Sequence, residues 1–317
     1  MFICVSPNPA VDKRLTVPSL VAGKVIRASS AQGFAGGKAT HVAMVLRTLG
    51  ETPKWIGPCG GSTGEELVEG LLELGIEAHP CETRGNTRTN LEIVEANGTV
   101  TEILEPGSEL AAAEIASFRN ACQKLFANGR DGALVIFSGS LPTGVAADLY
   151  ARLIAEAQKN GCRTFVDASG EPLRLAISAR PDFVKPNRDE VGALLGMTID
   201  SVASAGGALR ALLKLGAHSA ALSLGADGLL FCPDESAPVY FAPAVALAAR
   251  STVGCGDAAL AGFARATALK LPPEETLRMA AACAAANCLA DSPGAGRLAD
   301  IQKFETEIRV QVLTLGS

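Results

Sequence analysis

Short apolar segments alternate along the chain with longer segments that show helical periodicity. Phe2–Val5 is predicted to be a strand buried on both faces, and residues 37–49 are predicted to form a helix. Further predicted strands cover residues 55–57, 76–80, 133–137, 163–167, 183–185 and 219–224, and further predicted helices cover residues 65–74, 146–159, 172–177, 189–195 and 258–269. This alternation favours a mostly parallel sheet with helices on both faces.

Residues 11–34 and 87–104 interrupt the alternation. They contain short extended stretches without helical periodicity, and the second is centred on Asn97-Gly98, a dipeptide typical of tight hairpin turns. Neither segment has an obvious helix to cover both of its faces. We therefore predict a small β-sheet lid inserted in a single domain of residues 1–317, with a face that a second subunit could cover.

The composition excludes several classes of protein. Hydrophobic residues make up 48% of the chain and charged residues 19%, which excludes disorder by composition. The net charge of −5 contrasts with the basic surface of nucleic-acid binders, so no nucleic-acid partner is expected. No signal peptide or membrane-spanning apolar segment is recognisable, and we expect a soluble, cytoplasmic protein without a membrane partner.

The nine cysteines are scattered, odd in number and without a CxxC pair, and the chain has three histidines. A structural zinc site is therefore not expected. Free buried thiols in a reducing compartment fit this pattern better than disulfide bonds do.

The stretch Arg250-Ser-Thr-Val-Gly-Cys-Gly-Asp257 leads into an alanine-rich helical segment. Gly254 and Gly256 permit tight turns and the close approach of a ligand to the backbone. Asp257 would lie in the first helical turn, where unpaired N–H groups and the helix dipole favour an anion. A carboxylate there can accept a proton from an attacking hydroxyl while the N–H groups hold the developing charge. By itself, the motif also fits a plain helix start.

A second glycine motif, Gly36-Gly37-Lys38-Ala-Thr-His41, lies at the start of another predicted helix. It is not a Walker A loop, because the pattern GxxxxGK[ST] is absent from the chain. The dinucleotide fingerprint GxGxxG is missing after the first strand, which disfavours an NAD-dependent enzyme. Paired glycines at a helix start can bind a polar ligand or simply cap the helix.

Together with five further segments, these motifs resemble the ribokinase-like (PfkB) family of carbohydrate kinases. The five segments are Asn8-Pro-Ala-Val-Asp12, Arg88-Thr-Asn90, Ser138-Gly-Ser140-Leu-Pro142, Lys185-Pro-Asn187-Arg-Asp-Glu190 and Ser223-Leu-Gly-Ala-Asp-Gly228. The resemblance extends from Cys4 to about Gly296. Within the family, the chain resembles the hexose-phosphate kinases. These include 1-phosphofructokinases, tagatose-6-phosphate kinases and minor 6-phosphofructokinases.

The resemblance implies a ribokinase-like three-layer α/β/α sandwich, with a mostly parallel sheet and a β-sheet lid through which a homodimer forms. It implies ATP-dependent phosphorylation of a ketohexose phosphate such as fructose 1-phosphate, fructose 6-phosphate or tagatose 6-phosphate. ATP and Mg²⁺ are the implied cofactors, and a monovalent cation is a further candidate. Asp257 matches the catalytic base of the family, and Gly254, Cys255 and Gly256 match its anion hole.

The same resemblance implies the other binding residues. Contacts with the sugar are implied for Asp12, Gly37, His41 and Ser138, and contacts with its phosphate for Arg27 and Arg88. Lys38 is a further candidate for the substrate phosphate, or else a solvated residue at the helix start. Contacts with the nucleotide are implied for Lys185, Asn187, Ser223, Gly225, Gly228 and Asn287. Asn187 and Glu190 resemble the Asn-x-x-Glu element that organises Mg²⁺ through water.

Three positions depart from the family pattern. Ala39 stands where Gly is common. His41 stands where Asn is usual, and a histidine is bulkier and can become charged, so the identity of the sugar stays open. Cys255 stands where Ala is usual, at a position that acts through its backbone N–H.

Two other functions are compatible with the same fold. One is a kinase for an unphosphorylated sugar or nucleoside, which Arg27 and Arg88 disfavour because a neutral substrate needs no such cations. The other is a non-catalytic protein that binds a sugar phosphate and regulates another process. The presence of Asp257 with its two glycines, and of the Asn187 and Glu190 pair, disfavours that second function.

Overall fold

The computed structural model describes residues 1–129 and 132–313. The strands within these residues are β1 (Phe2–Val5), β2 (Ala10–Val17), β3 (Ser30–Gly36), β4 (Lys54–Cys59), β5 (Glu77–Glu82), β6 (Arg88–Glu95), β7 (Val100–Leu104), β8 (Leu134–Ser138), β9 (Arg163–Asp167), β10 (Phe183–Val184), β11 (Ser219–Ser223), β12 (Leu229–Cys232), β13 (Val239–Ala242) and β14 (Gln311–Leu313). The helices are α1 (Lys38–Thr48), α2 (Gly61–Glu73), α3 (Ala112–Asn128), α4 (Leu149–Lys159), α5 (Gly170–Ser178), α6 (Arg188–Leu195), α7 (Val202–Leu215), α8 (Cys255–Ala268), α9 (Pro273–Cys288) and α10 (Leu298–Glu307).

The larger sheet has ten strands in the order β14-β13-β12-β11-β10-β9-β8-β1-β4-β5. The strands from β11 to β5 pair in parallel, whereas β12, β13 and β14 add antiparallel pairs at one edge. Helices α1, α2, α8, α9 and α10 pack on one face of the sheet, and α3 to α7 pack on the other. The predicted three-layer α/β class is therefore confirmed.

Strand β1 illustrates why the centre of this sheet is so apolar. Its residues alternate between the two hydrophobic clusters, with Phe2 and Cys4 in one and Ile3 and Val5 in the other. All four side chains are buried. A strand covered by helices on both faces needs apolar residues at every position, which is the pattern that the sequence shows.

The two segments that interrupt the alternation contribute a separate four-stranded sheet in the order β3-β2-β6-β7. Strands β2 and β3 are antiparallel, and β6 and β7 form a hairpin around Asn97-Gly98, as predicted. Strands β2 and β6 pair in parallel, with Asp12 opposite Asn90. This pairing between two distant segments sets one wall of the cavity described below.

Several elements lie outside the sequence-based prediction. Helix α2 begins at Gly61 rather than at Glu65, because its first turn is rich in glycine and serine and shows no periodicity. The antiparallel strands β12 and β13 follow β11 through short turns without an intervening helix, so they lack the alternating pattern. Helices α3, α7 and α10 were not predicted either. No helix in the described ranges is long and apolar enough to cross a membrane.

Candidate active site

Two cavities meet at the N-terminus of α8. The smaller has a volume of about 330 Å³, lies against the small sheet and is lined by Asp12, His41 and Arg88 among others. The larger has a volume of about 1070 Å³ and is lined by residues at the carboxyl ends of β9, β10 and β11. Lys38, Gly254 and Asp257 line both cavities. A group bound in one cavity can therefore reach a group bound in the other at this junction.

The N-terminus of α8 is shaped by glycine. Gly254 caps the helix with a φ of 76°, and a Cβ there would lie 2.8 Å from the Cβ of Pro293, so a larger residue does not fit. Among the described residues, no acceptor takes the N–H groups of Gly254 or Gly256. The N–H of Cys255 donates to the carbonyl of Thr252 over 3.3 Å. Two of the three predicted anion-hole N–H groups are thus free to meet an anion.

A line of polar side chains connects Asp257 to the small sheet. Asp257 is in the first turn of α8 and is 5% exposed. Its Oδ2 lies 2.9 Å from Nδ1 of His41, and Nε2 of His41 lies 2.7 Å from Oδ2 of Asp12. The amide Nδ2 of Asn90 donates to Oδ1 of Asp12 over 2.8 Å. Helices α8 and α1 and strands β2 and β6 therefore hold one continuous network.

These contacts change the pKa values of the two groups in the middle of the network. Burial disfavours the charged form of His41, but hydrogen bonds and opposite charges from Asp12 and Asp257 raise its pKa to about 10. Burial also disfavours the charged form of Asp12, but His41 and Asn90 stabilise its carboxylate and leave its pKa below the usual value. Asp12 is therefore an anion at neutral pH.

The Gly36-Gly37 pair allows this network to form. A Cβ on Gly36 would overlap the carboxylate of Asp12. Gly37 caps α1 with a φ of 89° and lines the smaller cavity. The pair brings the start of α1, and with it His41, close to Asp12.

Arg88 reaches the smaller cavity from the first position of β6. One of its terminal nitrogens, Nη1, donates to the carbonyl of Glu105 over 2.9 Å, while its Nε is buried without a partner. Burial lowers the pKa of its guanidinium. Two other buried polar atoms nearby in the fold, Oδ1 of Asn90 and Oγ of Ser138, also lack partners. Unpaired polar atoms in a cleft indicate a polar ligand that would satisfy them.

Arg27 is placed differently from the other predicted site residues. It lies on the loop between β2 and β3, is exposed and lines neither cavity of this chain. The structure therefore brings Arg88, but not Arg27, to the smaller cavity within one chain. Ser138 ends β8 and is 1% exposed, directly before Gly139 and Ser140, which line that cavity.

Lys185 and Lys38 share a buried carboxylate that sequence analysis missed. Asp167, the last residue of β9, accepts from Nζ of Lys185 over 2.9 Å and from Nζ of Lys38 over 3.2 Å. Burial would raise the pKa of Asp167, but the two ammonium groups hold it below the usual value. The same carboxylate raises the pKa of Lys38, and both lysines line the larger cavity.

Most residues that were predicted to contact the nucleotide line the larger cavity. They are Lys185, Asn187, Ser223, Gly225 and Gly228. The same cavity is also lined by apolar side chains from the segment after β13 and from α9, namely Val245, Leu247, Ala284, Ala285 and Cys288. A large cavity with apolar walls and a few cations suits a base with a chain of phosphates.

Asn187 and Glu190 form a capping box at the start of α6. Oδ1 of Asn187 accepts the N–H of Glu190 over 2.8 Å, and Oε2 of Glu190 accepts the N–H of Asn187 over 2.9 Å. The other oxygen of Glu190 lies 3.9 Å from Nζ of Lys38. The described residues contain no group of three His, Cys, Asp or Glu that could hold a metal directly. A magnesium ion that keeps its waters and binds nucleotide phosphates is compatible with this arrangement.

Asn287 lies outside the lining of both cavities. Its Nδ2 donates to the carbonyl of Val253 over 2.8 Å, and its Oδ1 accepts the N–H of Gly294 over 2.8 Å. Residues 284, 285 and 288 of the same helix line the larger cavity, and position 287 faces away from it. The amide of Asn287 therefore fastens the loop before α8 to the loop after α9 instead of reaching into the larger cavity.

Two residues of the candidate site had weak signals in the sequence. Asp167 is a polar residue at the carboxyl end of a buried parallel strand, a position where ligands commonly bind in such sheets. Asn90 belongs to the Arg88-Thr-Asn90 motif, but its partner, Asp12, becomes evident only from the pairing of β2 with β6.

The chain matches the family model described as pfkB family carbohydrate kinase over residues 8–299. It is 38% identical to the 1-phosphofructokinase of Rhodobacter capsulatus over 279 residues, which cover 88% of this chain and 87% of the relative. It is 30% identical to the 1-phosphofructokinase of Bacillus subtilis (strain 168) over 310 residues, which cover 98% of this chain and 99% of the relative.

A solved structure of phosphofructokinase-2 from Escherichia coli, in complex with substrates and products, has a TM-score of 0.89 to this chain at 29% sequence identity. The match covers 97% of this chain and 98% of that one. The similarity in sequence and in structure therefore extends over both sheets and over the junction of the two cavities.

Proposed function

The chain belongs to the pfkB family of carbohydrate kinases, and from this membership we propose that it phosphorylates a ketohexose phosphate. It is a phosphotransferase that uses an alcohol group as acceptor. The proposed reaction moves the γ-phosphoryl group of ATP to a free hydroxyl of fructose 1-phosphate, fructose 6-phosphate or tagatose 6-phosphate. The product is a ketohexose bisphosphate.

The observation that supports this proposal best is the junction of the two cavities at Asp257. A sugar phosphate in the smaller cavity and a nucleotide in the larger one would meet beside a buried carboxylate and the free N–H groups of Gly254 and Gly256. Phosphoryl transfer requires mainly such positioning and charge stabilisation.

Each residue around the smaller cavity has a proposed part in this reaction. Arg88 binds the phosphate already on the sugar, because its guanidinium lines this cavity and suits a phosphate group. Asp12 accepts hydrogen bonds from sugar hydroxyls. Asp257 takes the proton of the attacking hydroxyl as general base, while the N–H groups of Gly254 and Gly256 hold the charge on the transferred group.

Residues of the larger cavity are proposed to hold the nucleotide. Lys185 and Lys38 bind its phosphates, and the turn from Ser223 to Gly228 lies under its ribose and base. Glu190 orients water around the magnesium ion. When bound, that ion neutralises charge on the phosphates and aligns them for transfer.

A substrate screen tests the proposed function. ADP formation is measured with ATP, Mg²⁺ and one acceptor at a time, and the acceptors are fructose 1-phosphate, fructose 6-phosphate, tagatose 6-phosphate, ribose and adenosine. We expect a phosphorylated ketohexose to give the largest kcat/KM. A larger value for ribose or adenosine would support the alternative of a kinase for an unphosphorylated substrate. Tight binding of a sugar phosphate without ADP formation would support a regulatory protein instead.

Replacing Arg88 with alanine is expected to raise KM for the sugar phosphate by about 10- to 150-fold, since hydrogen bonds to charged groups contribute roughly 1.5–3 kcal/mol each. KM for ATP should change little, because Arg88 does not line the larger cavity. Steady-state kinetics with each substrate varied in turn measure both constants.

Arg84→Ala is the matched control, because Arg84 is exposed and lines neither cavity. It should leave both constants unchanged. A rise in KM for ATP rather than for the sugar phosphate in Arg88→Ala would mean that the assignment of the two cavities is reversed.

We also propose that two chains associate through the small sheet. The small sheet and its adjoining loop expose several apolar residues outside the cavity, namely Leu20, Val21, Val25 and Ile103, and Val25 is 91% exposed. Contiguous exposed apolar groups are typical of an interface. Light scattering on the purified protein is expected to give the mass of a dimer, and the mass of a monomer at micromolar concentration would refute this association.

A further inference from the structure

His41 contacts a carboxylate with each nitrogen of its ring. Nδ1 lies 2.9 Å from Oδ2 of Asp257, and Nε2 lies 2.7 Å from Oδ2 of Asp12. A neutral imidazole has a single N–H and can donate to only one of these oxygens. The three side chains must therefore share an additional proton, held either by the ring or by one of the carboxylates.

We propose that this proton resides on the ring, so that His41 is a buried imidazolium that positions both carboxylates and offsets the charge of the pair. This inference rests on the proposed function, because a protonated Asp257 could not accept the proton of a sugar hydroxyl. His41 is then a positioning residue in the reaction, in addition to any contact that it makes with the sugar.

The surroundings of His41 favour the charged ring. Its two direct partners are carboxylates, on β2 and α8, and the ring is 5% exposed. The other charged groups that line the same cavity are Lys38 on α1, Arg88 and Glu92 on β6, and Glu102 on β7. They contribute two positive and two negative charges, so they do not reverse the effect of the direct partners.

The pKa of His41 is shifted in the direction that this arrangement requires. Burial lowers the pKa of His41, but its hydrogen bonds to Asp12 and Asp257 raise it to about 10, above the value of about 6.5 for an unfolded chain. The proton on His41 therefore stabilises the folded protein fully below about pH 6.5, and this stabilisation is lost as the pH rises through about 10.

A charged bridge has two consequences for catalysis. It occupies Oδ2 of Asp257 and leaves Oδ1 without a donor among the described residues, free to take a proton from the substrate. It also keeps two nearby carboxylates ionised together, which would repel each other without a cation between them. An asparagine at position 41 could donate hydrogen bonds to them but would supply no charge.

Nuclear magnetic resonance of the histidine ring tests the proton directly. The substitutions H79Q and H218Q, at positions outside both cavities, leave His41 as the only one of the three histidines. With ¹⁵N-labelled histidine, we expect both ring nitrogens to carry protons at about pH 8, well above the ordinary pKa of about 6.5. One unprotonated ring nitrogen at that pH would overturn the proposal. If the double variant does not fold, the wild-type spectrum serves, with the His41 signals identified by their loss in His41→Asn.

The pH dependence of kcat/KM for the sugar phosphate tests the functional consequence. The acid limb of this profile is the range in which kcat/KM falls as the pH is lowered. In His41→Asn, this limb is expected to move to higher pH by about 1 unit or more, because the carboxylates lose the adjacent cation. The matched control His218→Asn, at an exposed position, should leave the limb where it is. A purely structural role for His41 would lower kcat/KM at every pH without moving the limb, and that result would also overturn the proposal.

The two experiments separate this inference from the proposed function. If the wild-type protein phosphorylates no ketohexose phosphate, the proposed function fails, but the ring spectrum still decides where the proton lies. If the wild-type protein is active and the ring is neutral at about pH 8, the proposed function stands and the inference fails.

Discussion

Replacing Asp257 with asparagine is expected to lower kcat by roughly 10²- to 10⁴-fold, the usual contribution of a positioned general base. Asparagine has nearly the same shape, and its amide oxygen can still accept the hydrogen bond from Nδ1 of His41. The variant should therefore fold and bind both substrates, while the proton of the attacking hydroxyl loses its acceptor. Measurement of kcat together with a thermal unfolding curve separates the two effects.

Asp300→Asn is the matched control for that substitution. Asp300 also lies in the first turn of a helix, α10, but it lines neither cavity and pairs on the surface with Arg297. Its substitution should leave kcat unchanged. A folded Asp257→Asn variant with near-wild-type kcat would remove Asp257 from the role of base.

The second large effect concerns stability, and Lys185→Met is expected to lower the free energy of unfolding by roughly 3–5 kcal/mol. Lys185 and Asp167 form an ion pair at 2.9 Å in which both side chains are 3% exposed. Removing the lysine leaves a buried carboxylate whose remaining partner, Lys38, is much more exposed. Urea denaturation without nucleotide measures the loss.

Lys54→Met provides the comparison for that experiment. Lys54 pairs with Glu77 at 2.8 Å, a similar distance, but this pair is largely in solvent. Exposed pairs contribute about 0–1 kcal/mol, so the control should lose little stability. Equal losses in the two variants would show that burial does not decide the strength of the Lys185 pair.

The double variant, Lys185→Met with Asp167→Leu, should recover stability relative to Lys185→Met alone, because it removes the unpaired charge.

The sequence predicted the fold well where local pattern and burial agree. The apolar run Phe2–Val5 is a central strand because both of its faces are covered, and the alternation of strands with helices follows from parallel pairing. The glycine-flanked Asp257 was placed at a helix start, and it lies in the first turn of α8. Such features depend on neighbours in the chain, which a sequence displays directly.

The candidate site was harder to predict where it depends on distant contacts. The link from Asp12 to Asn90 requires the parallel pairing of β2 and β6, and no local pattern encodes that register. Asp167 acquires its importance from two lysines on other elements. Arg27 was grouped with Arg88 through the family resemblance, yet it does not line the smaller cavity within this chain.

The contacts of His41 also depend on residues that are distant in the sequence. The family resemblance implied a contact between His41 and the sugar, and a histidine at that position can become charged. Its simultaneous contacts with Asp12 and Asp257 depend on three elements that meet in space. The charge that we propose for its ring follows from these contacts and not from the motif.

The most direct test of this account is a crystal structure of the protein with a ketohexose phosphate and a non-hydrolysable ATP analogue. We expect the acceptor hydroxyl to lie about 2.6–3.2 Å from a carboxylate oxygen of Asp257, the distance of a hydrogen bond to a general base. The sugar phosphate should contact Arg88, and the nucleotide should occupy the larger cavity. A sugar bound away from Asp257, or a nucleotide in the smaller cavity, would contradict the account.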